Sequence, residues 1–394
     1  MIEAMTDPVP HRAEIVVDVA AIRHNVRILK DLVSADGPVE MMTVVKADGY
    51  GHGMVESAAA AREGGADWLG VATIDEALAL RAGGDQGPLL CWLSAPGDDF
   101  ARAVAAGIEV TAYTVDELDE IAATAAAGAR VQLKVDTGLS RGGAPRAHWR
   151  ALFAAAAAHE AAGRLRITGI WSHFAASDEP AHPANDAQET AFRQALRLAD
   201  RAGLRPESTH LANSAAAVLR PSSRFDLVRC GIASYGLDPA PRVNPRLGPR
   251  LGLRPAMTVR ARLVMSKAIA AGDGVSYAHT WRAAEDTSVG LVPAGYGEGI
   301  PWAAGNTASV WVEGSLRPIR GRVCMDQFVV DLHGELPPSG TEVVIFGPGD
   351  RGEPTAQEWA DAVGTINYEI VTRVGGRLAR RYVDTDDTVE GTLT

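Results

Sequence analysis

Through the first ~250 residues, short apolar runs alternate with longer stretches in which alanine and leucine recur at helical spacing. That texture predicts a parallel α/β unit repeated many times. Strands are expected near 42–47, 68–72, 88–93, 108–113, 131–136, 168–173, 208–212 and 227–231. Helices are expected between them, among them Ile74 to Ala82, Asp116 to Ala127 and Ala187 to Ala202. The low-complexity run Ala151 to Ala162 reads as an outer helix, because alanine is the best helix former. Eight strands with their helices in this length fit an N-terminal (β/α)8 TIM-type barrel. An open doubly wound sheet is the alternative, disfavoured because no Gly-x-Gly-x-x-Gly turn follows the first strand.

After Pro249 the pattern changes. Segments such as Met257 to Lys267, Ser288 to Val292, Ser309 to Glu313 and Glu342 to Phe346 are short, rich in valine, threonine and arginine, and punctuated by glycine and proline. They predict a mainly antiparallel β domain. The expected division is 1–250 for the barrel and 251–394 for the β domain, with Asn244 to Pro255 as the linker. The apolar stretch near 13–19 is a candidate to join the β domain. No short-period internal repeat is apparent.

Composition narrows the function classes. With 46% hydrophobic and 22% charged residues, the chain reads as a soluble globular protein. A net charge of −11 argues against nucleic acid or an anionic membrane as partner. No apolar stretch approaches bilayer length, and Met1 to Glu14 lacks the pattern of a secretory leader. Cys91, Cys230 and Cys324 lie far apart and have neither metal-ligand nor disulfide spacing, so a reducing cytoplasm is expected and no metal.

The chemistry gathers around lysine. Only four of the 38 basic residues are lysines: Lys30, Lys46, Lys134 and Lys267. Lys46 and Lys134 fall in apolar, strand-like segments. A lysine amine, unlike arginine, can be made neutral by burial or by cationic neighbours, and can then attack a carbonyl. The bland alternative is a strand-end lysine that snorkels to water. The proposed strands end in Lys46, Asp136, His173, Asn213 and Gly231, with Lys134, His210 and Arg229 just inside. A barrel carries its functional residues at that end. Taken singly, each histidine is more often a hydrogen-bonded core residue than a catalyst. Asn213 and Ser214 could cap the following helix, and Gly231 would let backbone amides approach a ligand. Anion binding after strands seven and eight is habitual in such barrels, so a lysine-bound, phosphate-bearing aldehyde suggests pyridoxal phosphate.

The residues then match a family. The run Val44 to Gly53, with Lys46, Asp48, Gly49, Tyr50 and His52, resembles the pyridoxal-phosphate attachment signature of alanine racemases. Further segments resemble that family in the same order: Lys134 to Arg141, Trp171 to Ala175, His210 to Ser214, Val228 to Ile232, Gly274 to Tyr277, Gly295 to Gly297, Gly321 to Asp326 and Thr365 to Glu369. The resemblance implies that Lys46 carries pyridoxal 5'-phosphate, with Tyr50 beside it. It implies that Arg229 faces the pyridine nitrogen, His173 and His210 flank the ring, and Arg141 reaches its phenolic oxygen. Ser214, Gly231, Ile232 and Tyr368 would hold the phosphate, near Asn213. Tyr277 of the partner subunit would be the second catalytic base, opposite Lys46. Arg141 and the backbone of Met325 would take the alanine carboxylate. Tyr296, Arg322 and Asp178 would line the entry, where Trp302 replaces the arginine usual in relatives. Lys134 matches a position that is often carbamylated. The implied protein is a homodimer that makes D-alanine for peptidoglycan. A broader amino-acid racemase, a decarboxylase of the same fold and a non-catalytic cofactor carrier remain as alternatives, although the decarboxylases place a carboxylate where Arg229 stands.

Overall fold

In the computed structural model, residues 11–124 and 126–386 are described. Ala125, at the end of the expected helix Asp116 to Ala127, and Met1 to Pro10, where no leader was expected, lie outside them. The chain divides into two compact units. One is Ala21–Arg254; the other joins the described residues up to Ala20 to those from Pro255 onward.

The reason for the second grouping is β1 (Ala13–Asp18). Its mostly buried residues pair antiparallel with Met257–Arg262 and parallel with Ala379–Val383. The first strand therefore belongs to the β unit, and helix Val19–Ser34 leads from it into the barrel.

The barrel strands are β2 (Glu40–Val44), β3 (Trp68–Val71), β4 (Leu89–Cys91), β5 (Glu109–Ala112), β6 (Ala129–Lys134), β7 (Leu165–Trp171), β8 (Ser208–His210) and β9 (Leu227–Cys230). All pair in parallel, in the order β8-β7-β6-β5-β4-β3-β2-β9. The Asn213–Arg229 bridge and the bonds Arg229 N to Ala212 O and Asp226 N to Thr209 O join β8 to β9. The sheet closes on itself, which removes its free edges. Met42, Trp68, Leu90 and Leu227 form one buried cluster, with Trp92 packed against it.

In the β unit the strands are β10 (Met257–Arg262), β11 (Met265–Ile269), β12 (Gly274–Val275), β13 (Trp281–Arg282), β14 (Thr287–Val292), β15 (Ser309–Val312), β16 (Ser315–Arg320), β17 (Phe328–Asp331), β18 (Glu342–Phe346) and β19 (Ala379–Val383). Nine-stranded order β11-β14-β17-β16-β15-β18-β10-β1-β19 is antiparallel except at β1–β19, and β12–β13 is a separate hairpin. The segment Met257 to Lys267, expected as one strand, is two, broken at Leu263–Val264.

One element departs from expectation at its functional end. The first barrel strand, expected over 42–47, stops at Val44. Beyond it Ala47, Asp48, Gly49, Tyr50 and Gly51 all take positive φ, making a turn of left-handed helix closed by Gly49 N to Val45 O and Gly51 N to Ala47 O. Left-handed helix costs L-residues roughly 1–2 kcal/mol each, so single residues are the rule and a whole turn is exceptional. Such strain persists only where surrounding structure enforces it, and it clusters at functional sites. Here Asp48 Oδ1 accepts from Met54 N, and His52 Nδ1 lies 3.1 Å and 3.0 Å from the Gly49 and Tyr50 carbonyls.

Candidate active site

Lys46 stands where this turn leaves β2, at the C-terminal mouth of the barrel. Its amine lies 5.9 Å from the centre of the Trp92 ring. Burial holds that amine below its usual range, the Arg141 charge adds to the effect, and Glu76 opposes it. Glu76 is itself committed: its carboxylate accepts the amides of Ala47, Ala72 and Thr73.

Lys134 ends β6 and is buried. Its Nζ sits 4.4 Å over the Trp171 ring and 5.1 Å from that of Tyr113. Its pKa is pushed down to about 7 by burial, then by Arg229 and Arg141, with Asp136 opposing. Asp136 Oδ1 is also occupied, accepting the amides of Gly138, Leu139 and Ser140 in the loop that carries Arg141.

Arg229, from β9, is buried and has donors only. It gives Nη1 to His210 Nδ1 (2.8 Å) and Nη2 to His173 Nδ1 (3.2 Å), Ser172 O (2.7 Å) and Leu211 O (3.1 Å). Among the described residues no carboxylate contacts it, and burial pushes its pKa down to about 9. Both histidines are held well below the ordinary imidazole range, by burial first and then by Arg229. They are neutral acceptors here.

A small cradle lies where β8 and β9 end. Asn213 caps helix Ser214–Leu219, its Oδ1 accepting from Ala216 N and from Ser177 Oγ. The buried Ser214 hydroxyl accepts from Gly231 N at 2.8 Å. A Cβ at Gly231 would come within 2.3 Å of Tyr50 Oη, so only glycine fits beneath that phenol. Tyr50 is buried, and burial raises its pKa. Ile232 begins the next 3-10 turn and is fully buried.

The mouth thus gathers Lys46, Tyr50, Lys134, Arg141, His173, His210, Asn213, Ser214, Arg229, Gly231 and Ile232. Lys46, Lys134, Arg141 and Arg229 are close enough to depress one another's neighbours. Such convergence of perturbed groups is typical of a reactive site.

Of the remaining expected residues, Asp178 lies in the barrel unit and the others belong to the β unit. Tyr277 opens a turn in which Ser276, Ala278 and His279 all have positive φ, and it is 67% exposed. Ser276 Oγ ties that turn to Arg322 O at 2.7 Å. Tyr296 N bonds to Cys324 O and Gly297 N to Met325 O, so segment 322–325 connects the two turns. Trp302 lies against Arg322, its ring centre 5.6 Å from the guanidinium carbon. Tyr277, Tyr296, Trp302 and Met325 are all exposed, while Tyr368 is half-buried. Among the described residues no cluster of His, Cys, Asp and Glu could hold a metal ion, and no helix is long and apolar enough to cross a membrane.

A family model described as "Alanine racemase, N-terminal domain" matches residues 17–239, and "Alanine racemase, C-terminal domain" matches 256–382. The chain belongs to the alanine racemase family. The alanine racemase of Frankia casuarinae is 52% identical over 371 residues, covering 93% of this chain and 95% of its own. That of Streptomyces coelicolor is 50% identical over 381 residues, covering 95% and 96%. The crystal structure of alanine racemase from D-cycloserine-producing Streptomyces lavendulae matches with a TM-score of 0.92 at 48% identity, covering 95% and 98%. The one from Bacillus anthracis, with bound L-Ala-P, matches at 0.86 and 33%, covering 96% of each chain. The protein is accordingly an isomerase, and the decarboxylase and carrier alternatives fall away.

Around the barrel mouth, the sequence reading passed over Trp171, Gln132 and Glu109. The Trp171 ring stacks on His210 (5.5 Å, 6°) and lies under both Lys134 and Arg229. Gln132 and Glu109 are buried and linked to His210. The available signal was a polar residue set among Val131 and Leu133, and another opening the apolar strand at Val110.

Proposed function

We propose that the protein is a pyridoxal-phosphate-dependent alanine racemase, working as a cytoplasmic homodimer and supplying D-alanine for peptidoglycan. The carrying observation is the Lys46 amine, held below its usual range in a mouth crowded with Lys134, Arg141 and Arg229. An uncharged amine is the form that attacks an aldehyde. Surplus positive charge beside a hydroxyl-and-amide cradle suits an anionic, phosphorylated ligand. The residues present therefore fit that cofactor. Lys46 would hold it covalently, and Ser214, Gly231, Ile232 and Tyr368 its phosphate, beside Asn213 and Tyr50. Arg229 would face its ring nitrogen, His173 and His210 its ring, and Arg141 its phenolic oxygen. Once bound, it withdraws electrons from the substrate and acidifies the α-hydrogen.

The chain's own residues then move protons. Racemisation takes a proton from one face of the α-carbon and returns one to the other, so two groups must stand on opposite sides. Lys46 Nζ serves one face and the Oη of the partner subunit's Tyr277 the other. The wide exposure of Tyr277 in its own chain supports a role outside that chain's own core. Arg141 and the Met325 backbone orient the substrate carboxylate, and Tyr296, Arg322 and Asp178 line the approach beside Trp302. At Lys134, a pKa of about 7 leaves a large neutral fraction at neutral pH. That amine can add to carbon dioxide, forming an N–C bond and releasing a proton to water. The resulting anion would hold Arg141.

The test is solvent hydrogen exchange at the α-carbon. In Tyr277→Phe, exchange from L-alanine should fall by roughly 10²–10⁴-fold, the scale of one acid–base group, while exchange from D-alanine persists. Equal loss from both enantiomers would reject two separate bases.

A further inference from the structure

The buried Arg229 guanidinium has no carboxylate in contact, yet its donors end in a chain that reaches one. Each link of that chain has a forced direction. Arginine only donates, so His210 Nδ1 must accept at 2.8 Å. A neutral His210 then carries its proton on Nε2, which gives it to Gln132 Oε1 at 2.7 Å. With its carbonyl oxygen used, Gln132 donates through Nε2 to Glu109 Oε2 at 2.8 Å. Glu109 is buried at the opening of β5 and accepts also from Thr168 Oγ1 (2.7 Å) and Arg130 Nε (2.5 Å). Arg130 passes on to the exposed Glu207 at 2.7 Å. The path thus runs from the lower rim of the barrel up to the residue in β9.

The strands are shaped to admit it. Gln132 faces Gly169 across the β6–β7 ladder, and the register shifts between Val131 and Gln132. A Cβ at Gly169 would come within 2.6 Å of both Gln132 Cδ and Oε1. A larger residue there would displace the amide from its place between His210 and Glu109. His210 is further fixed by its stack on Trp171.

We propose that Glu109 and Gln132 are positioning residues for Arg229: acting through His210, they pin its neutral Nε2–H tautomer, set the guanidinium plane, and deliver the Glu109 charge to a cation that has no contacting carboxylate. Every dipole in the chain turns its negative end towards Arg229, and aligned hydrogen bonds polarise one another in a low-dielectric interior. The consequence is that Arg229 stays charged and stays a donor, although burial alone favours losing its proton. The inference rests on the reading of Arg229 as a cofactor-facing residue for its catalytic meaning, but the relay itself belongs to the chain alone.

The experiment is nitrogen-15 NMR on histidine-labelled protein, first without added cofactor and then with pyridoxal phosphate. In the wild type His210 should show an unprotonated Nδ1 and a downfield, slowly exchanging Nε2–H, unchanged from about pH 6 to 9. Glu109→Gln should move that proton upfield and bring the basic limb of the kcat/KM profile to lower pH. It should cost roughly 10-fold in kcat, the scale known for outer partners of ligating histidines. The swap E109Q/Q132E keeps His210 Nε2–H donating, now to a carboxylate one link nearer that the amide at 109 donates to in turn, and should restore both the proton shift and the basic limb. Gln132→Leu, if it folds, should release the tautomer. A His210 ring that titrates in the wild type would overturn the relay. So would a Glu109→Gln variant with an unmoved Nε2–H and pH profile, or a swap no better than the single variant. Normal NMR behaviour in a protein that racemises nothing would instead count against the function proposed above.

Discussion

The barrel mouth and the exposed face of the β unit carry the two halves of the expected chemistry, and they are built on opposite physical terms. At the mouth, Lys134, His210 and Arg229 are buried and Lys46 and His173 half-buried, and their proton affinities are set by desolvation and by neighbouring charges. On the β unit, Tyr277, Tyr296, Trp302 and Met325 are held by turns and backbone bonds but left exposed. Burial tunes a group only where the fold surrounds it; exposed aromatics gain such an environment only from a ligand or another molecule. The contrast teaches that the fold itself sets proton affinity in one region and leaves the side chains of the other to solvent.

The strongest attempt to break this comparison is Lys46→Ala. We expect loss of the visible absorbance that follows cofactor addition, and a fall in racemisation of roughly 10⁴-fold or more, since anchor and base vanish together. Retained absorbance and turnover would move the reactive centre elsewhere.

The next asks whether the β unit completes a site on another copy. Lys46→Ala and Tyr277→Phe proteins are each inactive by expectation. Mixed and allowed to exchange subunits, half of their dimers carry one intact pair, so activity should return to about a quarter of wild type. No recovery, despite exchange followed by mass spectrometry, would place both bases on one chain.

A smaller effect sharpens the claim that burial tunes the mouth. Lys134 has a folded pKa of about 7 against 10.5 for the free side chain. Between those values the unfolded chain binds the additional proton, so wild-type stability should rise with pH from 7 towards 10.5. Below pH 7 both states are charged, and the full cost of burying the cation remains. Lys134→Met should flatten that rise and stabilise the apoprotein near neutrality by roughly 1–4 kcal/mol. Urea melts at pH 7, 8.5 and 10 in carbon-dioxide-free buffer would measure it; identical slopes in both proteins would reject a depressed Lys134.

Much of the fold is legible in the sequence. Alternating apolar runs and helical spacing gave the strand-and-helix count of the barrel, because packing against both faces of a parallel sheet demands that texture. Scarce lysines in apolar segments pointed to Lys46 and Lys134. Periodicity could not say that the first barrel strand ends at Val44, since the left-handed turn after it is made by Ala47, Asp48 and Tyr50 as well as by glycine.

By itself, then, the order of residues determined the elements and the chemical types placed at their ends, since these follow from local periodicity and side-chain chemistry. Tertiary structure alone decided that Glu109 and Gln132 reach Arg229, residues 120 and 97 positions away along the chain. It alone decided that Trp171 lies beneath two cations and that Gly169 leaves room for an amide. Hydrogen-bond direction and desolvation depend on what stands opposite across a closed sheet, and no local pattern encodes that.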